Sequence, residues 1–174
     1  MTLPRRFSAT AAAVSALGLI AGAASLSTAA PVLAQAAAPA TAPAGCTGPV
    51  SDTWINVIVQ GVKNDNGLIA VTVYADDSSR FLVKKGSLYV GRVDARTGTT
   101  RACVFLPSTG VYALAVYHDE DGDKSFDRNG LGLPAEAYGF SNNPVTLAGL
   151  PQFRSVRLNV AKNGLATKVT LTYP

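Results

Sequence analysis

From Trp54 onward the chain repeats with a period of two rather than the 3.6 of a helix. Ile55, Val57 and Val59 alternate with Trp54, Asn56, Ile58 and Gln60. After the turn cluster Asn64-Asp65-Asn66-Gly67, Ile69, Val71 and Val73 alternate with Ala70, Thr72 and Tyr74. Turn residues that tolerate positive φ, set between two such runs, predict a hairpin. Near the end Val156, Leu158 and Val160 alternate with Ser155, Arg157 and Asn159, and Asn163-Gly164 turns the chain into Leu165, Val169, Leu171 and Tyr173. That pattern predicts a second hairpin.

Between these lie three further strand-like runs, Leu88 to Val93, Thr99 to Leu106 and Val111 to His118, with Pro107-Ser108-Thr109-Gly110 as a turn. Both faces of these runs are partly apolar, so parity alone does not say which face is inside. Ser78 to Lys85 reads as a short helical turn with a serine cap. About seven strands at short spacing, separated by Gly, Asn and Pro turns, predict an all-β fold, an antiparallel β-sandwich. One segment, Asp119 to Pro151, refuses strand status. Structureless loops of that length are uncommon in a packed domain unless something fixes them or function uses them.

The first residues have a different character. Arg5 and Arg6 precede an uncharged Ala/Leu/Val/Ile stretch from Ala9 to Ala24, and Ala34-Gln35-Ala36 supplies a small-x-small cleavage site. Residues 1–36 are therefore expected to be a signal peptide, residues 37–50 a flexible tether rich in Ala, Pro and Thr, and residues 51–174 the sandwich domain. After cleavage no segment would span a membrane, and the product is expected to be periplasmic or secreted. The formal net charge of +4 loses most of its meaning here, because removing Arg5 and Arg6 from the 15 basic residues leaves 13 against 11 acids. The remaining Lys and Arg are scattered, apart from Lys84-Lys85, so no nucleic-acid partner is expected.

Two cysteines, Cys46 and Cys103, suit an oxidising compartment and predict a disulfide. The rival use of Cys46 is lipidation, since Ala44-Gly45-Cys46 matches the end of a lipoprotein box. Pro43, however, occupies a position that is normally apolar there, and the hydrophobic stretch ends far upstream.

The candidate chemistry opens the long loop. Five acids fall within nine positions from Asp119 to Asp127. Asp119, Asp121 and Asp123 take positions 1, 3 and 5 of a calcium ligand ladder, Ser125 takes position 7 through its carbonyl, and Asp127 takes position 9. The pattern departs from an EF-hand where Lys124 replaces the glycine of position 6 and Gly130 stands in place of the bidentate Glu. Glu136 is the carboxylate available to complete the set. Bound Ca2+ is one reading of this cluster. A solvated run of Asx-turns, offset by Lys124 and Arg128, is the other.

His118-Asp119-Glu120-Asp121-Gly122-Asp123, Phe126-Asp127, Gly132-Leu133-Pro134-Ala135-Glu136 and Tyr138-Gly139-Phe140-Ser141-Asn142-Asn143 together resemble a bacterial exported family, the domain of unknown function numbered 2141. Gly67 to Tyr74, Phe105-Leu106-Pro107 and Gly110-Val111-Tyr112 fit the same resemblance. It implies an exported β-sandwich, similar in kind to transthyretin-like and collagen-adhesin B-type modules, and it implies no activity.

His118 is the only histidine and precedes Asp119, but adjacent strand residues point to opposite faces and make no dyad. No serine sits in a nucleophile elbow. A binding or envelope-structural module is the favoured reading, with a protein or glycan ligand. Its ligand surface is expected at His118, Tyr138, Phe140, Asn142 and Asn143, residues that serve equally well to plug the end of the sandwich. The reading from another class is a small extracytoplasmic hydrolase using His118 and neighbouring carboxylates.

Overall fold

The computed structural model describes residues 41–147 and 149–174. The expected signal peptide and the first residues of the expected tether lie outside them. Eight strands form two sheets: β1 (Thr53–Val62), β2 (Leu68–Ala75), β3 (Tyr89–Asp94), β4 (Gly98–Leu106), β5 (Gly110–Asp119), β6 (Tyr138–Phe140), β7 (Arg157–Val160) and β8 (Leu165–Thr170). One sheet has three strands in the order β4-β1-β8. The other has five, ordered β3-β2-β5-β6, with β7 also paired to β5. All pairings between these strands are antiparallel except β1 with β8. The all-β sandwich expected from the alternation is the fold observed.

The two expected hairpins are not formed. β1 pairs with β4 and β8, whereas β2 pairs with β3 and β5, so residues 63–67 carry the chain from one sheet to the other. β7 and β8 likewise lie in different sheets. Alternation specifies which face of a strand is buried and not which strand lies beside it. Ile55, Val57 and Val59 meet Ile69, Val71 and Val73 in one core cluster, across a sheet separation of about 10 Å that such a link spans readily.

A second cluster explains why the middle runs are apolar on both faces. Tyr74, Phe81, Ala113, Phe140 and Val156 pack on the outer face of the five-stranded sheet, so the central strand β5 is covered on both sides. Phe81 enters from residues 78–85, where the expected helix is absent. There Asp77 Oδ1 accepts the Ser79 N–H at 2.9 Å, and Leu82 and Lys85 take φ of 55° and 61°, values that end any right-handed helical run. A single helical turn occurs instead at α1 (Phe153–Val156).

The segment expected to contain no strand holds β6. Three residues cannot display a period, and the middle one, Gly139, is set by close approach. A Cβ there would lie 2.6 Å from the Thr170 carbonyl oxygen, where the short strand meets β8.

Cys46 and Cys103 are bonded, which uses the Cys46 sulfur that lipidation would need. Thr47 then makes a parallel bridge with Val104, donating its N–H to the Cys103 carbonyl at 2.9 Å and accepting from the Phe105 N–H at 3.0 Å. The bond closes a sequence separation of 57 residues, worth roughly 4 kcal/mol in the chain-entropy account. Replacing both cysteines by serine should lower the unfolding free energy by about 2–5 kcal/mol. Urea denaturation of the double variant checks this, and a midpoint equal to that of the unmodified protein would contradict it.

Candidate functional site

β5 runs from the core into the acidic loop and delivers two consecutive residues to opposite sides. His118 follows the inward parity of Leu114 and Val116. Asp119 follows the outward parity of Ala115 and Tyr117. Both are fully buried. His118 Nε2 lies 2.8 Å from the Asn66 carbonyl oxygen, so it carries the hydrogen, and Nδ1 lies 3.2 Å from the Tyr173 hydroxyl. Both ring nitrogens are thus committed to structure.

The turn Asn64–Gly67 packs against the start of the loop from the other side. Gly67 has φ of 60°, and a Cβ on it would fall 1.9 Å from the Asp119 carbonyl oxygen. Only a residue without a side chain fits that contact. Asn64 adds a bond from Nδ2 to Glu120 Oε2 at 3.0 Å.

Carboxylate oxygens of Asp119, Asp121 and Asp123 lie within 4.8 Å of one another, an arrangement that can hold a metal ion. Asp121 and Asp123 are exposed and shape the loop through Asx-turns, accepting from the Asp123 N–H at 3.1 Å and the Ser125 N–H at 2.6 Å. Asp119 differs from both. Its Oδ2 accepts the Lys124 N–H at 3.0 Å, while Oδ1 is buried and has no hydrogen-bond partner. An unpaired buried polar atom is costly, more so when it carries charge.

Lys124, at the position where a calcium loop prefers glycine, adopts φ of 70°. The left-handed conformation costs a side-chain-bearing residue about 1 kcal/mol. Both of its backbone groups are fixed: the N–H by Asp119, and the carbonyl by Arg92 Nη2 at 2.9 Å and the Tyr117 hydroxyl at 3.4 Å. The loop therefore reaches the glycine-type turn without glycine.

Asp127 and Glu136 are not part of that group of three aspartates, and they meet each other instead, with the Asp127 N–H donating to Glu136 Oε2 at 3.1 Å. Desolvation, reinforced by the negative charges of Asp119, Asp127 and Asp121, pushes the Glu136 carboxyl up to about 7. Ser125 is exposed, its N–H already turned toward Asp123.

The five residues expected to form a ligand surface do not share one face. His118 is inside, as described. Asn142 and Asn143 are turned to the backbone: Asn142 Nδ2 donates to the Arg157 carbonyl at 2.8 Å, and Asn143 pairs with Lys168 and Thr170 at 3.0 and 2.7 Å. Tyr138 and Phe140 lie on the outer face of β6, where they help line a cavity of about 770 Å3 beside the acidic loop. Phe126, from the loop itself, sets its ring against Tyr117 and Tyr138 at centroid distances of 5.3 and 6.5 Å, both edge to face. Tyr74, Tyr117 and Arg92 were not expected from the sequence; the outward parity of Tyr74 in its strand was the one signal available, because the run that holds Tyr117 is apolar on both faces.

A family model described as "Uncharacterized protein conserved in bacteria (DUF2141)" matches residues 57–168. No curated protein and no solved structure matches the chain.

The Glu136 environment makes a pH prediction. Its folded carboxyl holds a proton up to about 7, whereas the unfolded one releases it near 4.5. Between those values the folded chain binds more protons than the unfolded chain, so this group's contribution to stability falls as pH rises. In chelator-treated protein, Glu136→Gln should flatten the decline in urea midpoint across that window. An equal slope in both proteins would refute the assignment.

Proposed function

The chain belongs to the DUF2141 family, and from that premise we propose that it is an exported β-sandwich binding module whose acidic loop holds one calcium ion. The ligands are the carboxylates of Asp119, Asp121, Asp123, Asp127 and Glu136 and the Ser125 carbonyl. The observation that carries this reading is the buried, unpartnered Oδ1 of Asp119 beside the oxygens of Asp121 and Asp123. A cation supplies the missing partner and turns the mutual repulsion of the acids into attraction. An all-oxygen donor set without thiolate or imidazole suits a hard ion, and five acids on one loop suit calcium's high coordination number better than magnesium's strict octahedron.

Export is supported by the disulfide, since such bonds persist in oxidising compartments. No helix among the described residues is long and apolar enough to cross a membrane. Periplasmic or secreted placement follows on this reading, with residues 1–36 as the signal peptide and the tether preceding the sandwich. The hydrolase reading loses its base, because both nitrogens of His118 are engaged and the ring is fully buried.

Two measurements test this. Calcium titration of the chelator-treated protein should raise its melting temperature with concentration, as any ligand of the native state does. Asp121→Ala should abolish the shift and leave the metal-free melting point near the unmodified value, since Asp121 is exposed. If millimolar calcium moves neither the melting point nor the protease sensitivity of residues 119–140, the cluster is a solvated turn. N-terminal sequencing of the exported protein should place the first residue at Ala37. A chain beginning at Met1 would overturn the signal-peptide assignment.

A further inference from the structure

The cavity beside the loop has a composition that the calcium reading does not use. Its floor is aromatic: Tyr74, Tyr117, Tyr138 and Phe140 from the outer face of the sheet, with Phe126 from the loop. Its remaining charged lining is of one sign. Lys84, Lys85, Lys124 and Arg128 border it, and no acidic residue among the described residues does. These are four of the 15 Lys and Arg in the whole chain, drawn from two segments far apart in sequence.

Among the described residues none of the four takes part in an ion pair. The Arg128 guanidinium stands 5.2 Å from the Phe126 ring centroid and donates to the Gly132 carbonyl at 2.8 Å, contacts that hold it in place without an ion pair. Exposed Val83 and Leu150, 49% and 54% accessible, add apolar surface at the mouth.

We propose that this cavity binds a small amphipathic organic anion, with an apolar ring-sized body on the aromatic floor and a carboxylate, sulfonate or phosphate at the Lys84, Lys85, Lys124 and Arg128 mouth. The volume lies within the range of about 300–1,000 Å3 typical of small-molecule sites. Aromatic walls supply apolar contact area, and convergent cations fix the orientation and exclude neutral or cationic competitors. The proposal deepens the binding-module reading and rests on it. It does not depend on calcium occupying the loop, although Lys124, Phe126 and Arg128 belong to that loop, so neutralising the adjacent acids leaves the mouth more positive.

The test uses the purified exported protein in calcium and two fluorescent probes of similar body. Anilinonaphthalene sulfonate carries the anion, and N-phenylnaphthylamine lacks it. The anionic probe should saturate a single site on the native protein, and the neutral probe should bind about tenfold more weakly, the size expected for a few solvent-screened charges. Lys84→Glu combined with Lys85→Glu, two exposed side chains without hydrogen-bond or ion-pair partners among the described residues, should weaken the anionic probe about tenfold or more while leaving the neutral probe and the melting temperature unchanged. Absence of saturable binding, equal affinity for the two probes, or an anionic affinity untouched by charge reversal would each overturn the proposal. Calcium titration without probe reports separately on the loop, so failure there is told apart from failure of the cavity.

Discussion

Strand β5 is covered on both faces, and the placement of everything else of interest follows from that constraint. Its inward residues complete the core between the sheets, and its outward residues support a second, aromatic cluster. A strand buried on both sides needs something to cover its outer face. Here the cover is built from residues 78–85 and α1, with Phe140 of the neighbouring strand β6 packed among them. The same strand then ends in a residue pair whose parity sends His118 inward and Asp119 outward. The core anchor and the acidic loop are therefore one residue apart, and the first acid of the loop is fixed by the sheet.

Rigidity at that point is reinforced from two directions. Gly67 closes against the Asp119 carbonyl, and His118 is bonded to Asn66 in the same turn. On the outer side Arg92 and Tyr117 hold the Lys124 carbonyl, and Lys124 in turn caps one oxygen of Asp119. The buried carboxylate is thus presented with one lone-pair set satisfied and the other free. On the calcium reading, a carboxylate held in this way lowers the ordering cost of binding.

Much of this was legible in the sequence, and the parts that were not share a cause. Period-two alternation reports burial, and it identified the fold class and the buried faces of β1, β2 and β8. It carries no information about neighbours, so Asn64–Gly67 and Asn163-Gly164 looked like hairpin turns when they are crossings between sheets. The acid spacing brought Asp119, Asp121 and Asp123 together on the page as in the molecule. The exceptional burial of Asp119 was invisible, because it depends on a glycine more than fifty residues away. Asn142 and Asn143 looked available for a ligand. Positive φ at both, 65° and 47°, instead turns their amides onto neighbouring backbone. The cavity could not be read at all, since its cations and its aromatic floor meet only once β2, β5, β6 and two loops are assembled.

The short arm at Cys46–Thr47 has a consequence for how the protein survives its own biogenesis. β4 lies at the margin of its sheet, with one side paired to β1 and the other presenting open backbone groups. Thr47 occupies that side with two hydrogen bonds, and the sulfur bridge keeps it there. Exposed strand margins are templates for intermolecular pairing and fibrillar association. The sulfur bridge therefore does more than restrict the unfolded chain: it holds Thr47 over the Cys103–Phe105 stretch of that border, where another chain would otherwise find open hydrogen-bonding groups.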